Sequence, residues 1–151
     1  MNDDYAEITA IVAKFAERID THDWAGIGEL FSHLTYTSPG IDYSVRGPAE
    51  LAAFYERVVT EMNERWAGDP DDARTVGHKH VFTNLIVDVA DDRRRATCRY
   101  YGTVYAFSAR KPLEARWSGR YYDGFERVDG HWHIVGRRQE TDFPPGYRPA
   151  E

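Results

Sequence analysis

The sequence predicts an α+β fold: a curved, mostly antiparallel sheet wrapped around N-terminal helices, making a cone-shaped barrel with a central pocket. Three observations carry this. Apolar residues recur at helical spacing as far as Met62, and from Thr75 onward the pattern turns to strands and stays there. Helices followed by hairpin-linked strands is the order of an α+β domain rather than of parallel βαβ units. Gly102, Gly119, Gly124 and Gly136 fall inside the strands, where glycine marks bulges or sharp coiling, so the sheet should curl and leave a cavity beneath it. With no internal repeat and no boundary signal, residues 1–151 are expected to form one domain.

The elements follow in order. Tyr5, Ile8, Ile11, Val12, Phe15 and Ile19 make one helical stripe, which Asp3 or Asp4 could cap. The helix runs out near Asp20, and Asp23 is placed to cap a second short helix whose apolar face is Trp24, Ile27, Leu30 and Phe31. Leu34 to Ser38 reads as a short strand ended by Pro39-Gly40. Pro48 suits the first position of a third helix carrying Leu51, Phe54, Tyr55, Val58 and Met62, and Asn63 to Arg74 reads as a polar loop. Four long strands are then expected: Gly77 to Val89, Arg95 to Ala109, Glu114 to Val128, and Trp132 to about Asp142, with Asp129-Gly130 as a hairpin turn.

Composition excludes several functions. The net charge is -6 and the short basic cluster Arg93-Arg94-Arg95 sits beside Asp91-Asp92 as a solvated turn, so nucleic acid is not expected as a partner. A single cysteine, Cys98, excludes an internal disulfide and fits a reducing compartment; mid-strand, it reads as inert packing. No apolar run reaches membrane-spanning length and the first residues are acidic, so a cytoplasmic protein without membrane contact is expected. No glycine-rich turn joins a strand to a helix, so no phosphate loop is present.

The stretch from Gly77 to Val89 is the organising strand. Strand alternation would put His80, Phe82, Asn84 and Ile86 on one face and Val81, Thr83, Leu85 and Val87 on the other. Both faces are largely apolar. The helices can cover only one, which leads us to expect a homodimer or homotrimer. A histidine on a covered face is either a hydrogen-bonded core residue or a base at the floor of a pocket. Asp20 is the other odd residue: a carboxylate at the C-terminal end of a helix faces the negative end of the dipole, costing a few tenths to ~1 kcal/mol if nothing offsets it. On that ground alone, removing it should slightly stabilise the fold. His78 and His80, like His131 and His133, have a spacing that some metal sites use, but no Cys or clear Glu partner accompanies them and no metal is expected. Tyr36, Phe54, Tyr101, Tyr105, Trp117 and Tyr121 read either as core or as the lining for a flat, partly polar ligand.

A set of short motifs runs through nearly the whole chain: Asp20 ending the first helix, Asp23-Trp24, Leu30-Phe31, Arg46-Gly47-Pro48-Ala49-Glu50-Leu51, and His80 with Asn84 four residues later. Then come Gly119-Arg120-Tyr121-Tyr122-Asp123, and Gly130-His131-Trp132-His133-Ile134 before Arg137-Arg138. In order and spacing they resemble the SnoaL-like branch of the nuclear transport factor 2-like superfamily. Its members include scytalone dehydratase, hexachlorocyclohexane dehydrochlorinase, bile-acid dehydratases and polyketide cyclases.

The resemblance implies that Asp20 and His80 pair as a catalytic dyad in a cofactor-independent lyase of dehydratase type, or a cyclase, acting on a small hydrophobic, ring-bearing molecule. It also implies that Tyr36, Asn84 and Arg137 orient the substrate or stabilise developing charge, with Phe54, Tyr101 and Tyr121 as further lining. Two other functions are compatible with it: a non-catalytic ligand-binding or dimerising domain, and an isomerase using Asp20 alone as base. In one departure, Phe15 stands where relatives often place a Lys or Tyr facing the pocket.

Overall fold

The computed structural model describes residues 3–34, 36–37 and 47–144. Three helices, α1 (Asp3–Asp20), α2 (Trp24–Leu30) and α3 (Pro48–Ala67), precede a one-turn α4 (Pro70–Ala73) and four long strands. The strands are β2 (Gly77–Val89), β3 (Arg95–Phe107), β4 (Glu114–Val128) and β5 (His131–Thr141), and a two-residue β1 (Tyr36–Thr37) lies between α2 and α3. The sheet order is β1-β5-β4-β3-β2, antiparallel except where β1 joins β5 in parallel. The predicted strand around Tyr36 is thus described only at Tyr36–Thr37; Ser38 to Arg46, the side chain of Tyr36 and the tail from 145 lie outside the described residues.

The α1 stripe is buried as its spacing dictates, with Ile8, Val12, Phe15 and Ile19 packed on the concave face of the sheet. Asp23 caps α2, its carboxylate accepting the Gly26 N–H at 3.0 Å. Asp4 does not serve as a cap. It is buried, and its carboxylate accepts Arg93 Nε (2.7 Å), Arg127 Nη1 (3.2 Å) and Trp132 Nε1 (3.2 Å), tying the start of α1 to the sheet. The hydrogen bond from Arg93 holds the Asp4 carboxyl below the usual carboxylate range. Arg93 is therefore an anchor rather than part of a merely solvated turn. Cys98 is buried, and burial pushes its thiol up to about 12.

Two sequence-based expectations change. The stretch expected as a polar loop is mostly helical: α3 runs on to Ala67, closes on the left-handed Gly68, and α4 follows. Asp72 explains the extra turn, because its buried carboxylate accepts Ser108 Oγ at 2.7 Å and the Arg110 N–H at 3.2 Å, fastening α4 to the end of β3.

The second change lies in β2. A bulge between Thr83 and Ile86, with Asn84 at φ 57, inserts an unpaired step and exchanges the faces beyond it. His80 and Phe82 face inward as expected, but so do Leu85 and Val87, while Asn84 is exposed and Ile86 is 47% exposed. The outer face is accordingly less apolar than simple alternation implies. A further bulge, between Gly124 and Phe125, and others along the sheet supply the curl that the strand glycines suggest. Gly102 has a different role: a Cβ there would stand 2.5 Å from the Tyr121 ring, so its absence lets aromatic rings pack against the strand.

Candidate active site

The last residue of α1 and the fourth of β2 meet. Asp20 Oδ1 lies 2.7 Å from His80 Nδ1, and the His80 backbone N–H points between the two carboxylate oxygens at 3.0 and 3.1 Å. The two side chains are only 10% and 9% exposed. A carboxylate accepts only, so it fixes His80 with a proton on Nδ1 and leaves Nε2 as the free, basic nitrogen. Lys79 adds its ammonium 3.8 Å from Asp20 Oδ2. These donors are what offset the unfavourable end of the helix dipole.

His80 forms part of the wall of a cavity of about 870 Å³ between α1, α3 and the concave face of the sheet. Register explains the lining. His80 pairs with Val104, which pairs with Trp117, and Tyr121 stands opposite Gln139, so four strands project one row each into the same space. Phe15, Ile19, Phe54 and Tyr55 close it from the helices. The floor is an aromatic array, with Phe15 stacked on Phe82 at 5.8 Å and edge-on to His80 at 6.3 Å. The cavity is therefore mostly apolar, with the His78 and His80 imidazoles and a few polar and charged side chains set into its wall, the arrangement expected for a ligand site.

Arg137 has a different place from the one expected. It is buried among aromatic rings, its guanidinium carbon 4.1 Å from the centroid of Phe15 and 5.1 Å from that of Tyr121. Its Nε and Nη2 donate to the two oxygens of Asp123 at 2.8 and 2.7 Å, and Tyr100 Oη donates to Asp123 at 2.7 Å while accepting from Nη2 at 2.9 Å. Burial works against its charge, but Asp123 more than offsets this and holds the guanidinium firmly protonated. Arg137 lies behind the cavity wall and is not among the residues that line it. Burial likewise raises the Tyr100 hydroxyl well above its ordinary value.

His78, two residues before His80 and on the same face, also lines the cavity, its ring 6.4 Å from that of His80 and 6.3 Å from His22. Burial and the two neighbouring imidazoles lower it to about 4, so it is neutral at physiological pH. Among the described residues no three His, Cys, Asp or Glu side chains gather so as to hold a metal ion.

Of the predicted site residues, the fold brings Asp20, His80, Phe54 and Tyr121 to the cavity or its edge. Asn84 is carried away by the bulge, and Tyr101, 50% exposed, stands on the convex face under the Arg120 guanidinium. Sequence reasoning missed Asn63, Trp66 and Arg65, which line the cavity from the last turns of α3. A signal existed: Val59, Asn63 and Trp66 continue the i, i+4, i+7 stripe beyond Met62.

An α+β cone enclosing a carboxylate–imidazole pair in an apolar cavity defines the class of protein. Residues 2–138 match the SnoaL-like domain, and the chain belongs to that family. Among solved structures it is similar to Aln2 from a Streptomyces species, with TM-score 0.73 and 22% identity, covering 94% of this chain and 93% of the other. It is also similar to ActVI-ORFA from Streptomyces coelicolor, with TM-score 0.68 and 23% identity, covering 91% and 96%. A third likeness is to a protein described as a putative scytalone dehydratase from Novosphingobium aromaticivorans, with TM-score 0.69 and 17% identity over 99% and 94% of the two chains. Identities this low speak to the fold. No curated protein matches the sequence significantly.

Proposed function

We propose that the protein is a cofactor-independent lyase of dehydratase type, or a cyclase, whose general base is His80 held by Asp20, acting on a hydrophobic ring-bearing molecule in the cavity. The observation that carries this is the 2.7 Å contact between Asp20 Oδ1 and His80 Nδ1 at the wall of a largely apolar space. In this reading His80 Nε2 removes a proton from a substrate carbon beside a carbonyl or opposite a leaving group. The pair of electrons left behind expels the hydroxyl in a lyase, or attacks an internal carbonyl in a cyclase. The departing or newly formed oxygen takes the proton back from the His80 imidazolium, giving water or an alcohol and restoring the base. Asp20 keeps the ring in the productive tautomer and stays paired with the imidazolium that forms. A positioned base of this kind contributes ~10² to 10⁴ in rate. Arg137 acts at one remove, by fixing the aromatic floor against which the substrate ring lies. The chemistry as written needs only a base and an electrostatic partner.

The test is turnover of candidate cyclic ketones and β-hydroxy ketones by the native protein and by His80→Ala, with ligand affinity measured in parallel. Loss of turnover with retained binding is expected. Binding with no turnover by either protein would make the chain a ligand carrier of the same fold.

A further inference from the structure

We infer that the molecule the cavity takes is an anion: a ring system bearing an ionised carboxylate or phosphate that is held by the solvent-facing arginines of the lining, Arg65 and Arg116 with Arg57 adding to the field. This rests on the cavity being the ligand site, as proposed above, and adds the charge of the ligand, which that reading leaves open.

The whole chain carries 25 acidic and 19 basic side chains, so an average patch of its surface is negative. The cavity lining runs the other way. It contains three arginines and no aspartate or glutamate; Asp20 lies behind His80 and is engaged by it. The arginines belong to the solvent-facing part of this lining. Arg57 and Arg65 are exposed and the Arg116 side chain is 32% exposed, whereas Phe15 and Tyr121, farther in, are buried.

They line the cavity from two walls, Arg57 and Arg65 from α3 and Arg116 from β4. Trp66, next to Arg65 on α3, reaches across to β4: the Arg116 guanidinium is 5.4 Å and the Lys111 ammonium 5.0 Å from its ring centroid, while the Arg57 guanidinium lies 5.6 Å over Phe54. Among the described residues no carboxylate pairs with Arg57 or Arg65, and Arg116 has Glu114 of its own strand at 3.6 Å. Helix-end electrostatics suit Arg65, in the last turn of α3, but account for neither Arg57 two turns earlier nor Arg116 on the opposite wall. Solvent-facing cations lining one cavity without a carboxylate among them make its potential positive, which favours a bound anion while the apolar interior takes the rings. At about 870 Å³ the space is larger than a single ring needs and suits a polycyclic body with an appended group.

The experiment uses the native protein and two fluorescent probes of nearly the same shape, anionic 8-anilinonaphthalene-1-sulfonate and uncharged N-phenyl-1-naphthylamine. The sulfonate is expected to bind about tenfold tighter at low ionic strength and only about twofold tighter in about 0.5 M salt. In Arg65→Glu/Arg116→Glu the preference should vanish or reverse, with the uncharged probe unaffected and the melting temperature preserved. Displacement by 1-naphthoate and 1-naphthyl phosphate then tells the two anions apart, each being expected to outcompete uncharged 1-naphthamide. Equal affinity of the two probes, or a preference that survives charge reversal, overturns the inference and leaves the cavity reading standing. If neither probe binds, or both bind undiminished when Ala106→Trp fills the cavity, the cavity reading fails and this inference with it.

Discussion

Asp20→Asn is the most informative single change, because it keeps volume while removing charge at the junction of α1 and β2. The carboxylate accepts both the backbone N–H and the ring Nδ1–H of His80 at 2.7 to 3.1 Å. Asparagine can still accept the backbone N–H through its oxygen, but as a neutral bond, which is weaker by about 1 kcal/mol. Its amide nitrogen is a donor, so facing Nδ1 it forces the proton onto Nε2 and takes away the basic nitrogen in the cavity. Against these losses stands relief of the helix dipole, about 0.3–1 kcal/mol. The balance is a loss of about 0–0.7 kcal/mol, or about 0–3 °C in Tm for a domain of this size. The structure thus reverses the sign that the sequence suggests, since the dipole argument alone makes Asp20 a burden. Turnover should fall by ~10² to 10⁴, with ligand affinity within about twofold of native. Thermal melting, ligand titration and turnover on one sample measure all three. Full activity would refute the dyad, and a Tm raised by several degrees would refute the energetic argument.

Four further outcomes are expected. His80→Ala should remove nearly all turnover, and combining it with Asp20→Asn should cost little more, because the pair acts as a unit; kinetics of the single and double variants check this. Arg137→Met leaves the buried Asp123 carboxylate without its cation and should destabilise by about 3–5 kcal/mol in denaturant titration, partly recovered by adding Asp123→Leu. The His78 imidazole, lowered to about 4 in the fold, takes a proton in the unfolded chain near pH 6.5 but not in the native one. Stability from this group is therefore complete above about pH 6.5 and is lost as pH falls toward 4, by about 1–2 kcal/mol once discounted for its partial exposure; His78→Phe should flatten that limb of the melting curve. Light scattering at high micromolar concentration should report a dimer or trimer, because Val81, Ile86, Tyr101 and Phe107 are 38%, 47%, 50% and 43% exposed along β2 and β3; a monomer would refute this.

What the sequence determined by itself was the kind and order of the main elements, the end of α3 and the short α4 excepted. The α1 stripe, the Asp23 cap, Pro48 at the start of α3 and the Glu114–Val128 strand follow from local rules of spacing, capping and alternation, which act over a few residues and so can be read along the chain. Resemblance to a family, not spacing, paired Asp20 with His80, because sixty residues separate them and only the packing of α1 under β2 brings them together. The bulge at Asn84 was beyond any alternation rule: one extra residue, fixed by pairing with β3, exchanges faces for the rest of the strand and removes Asn84 from the site. Arg137 shows the same limit. Its charge is visible in sequence, but whether it meets a ligand or a buried partner depended on Asp123 standing directly across the β4–β5 ladder, a register that only the folded sheet sets.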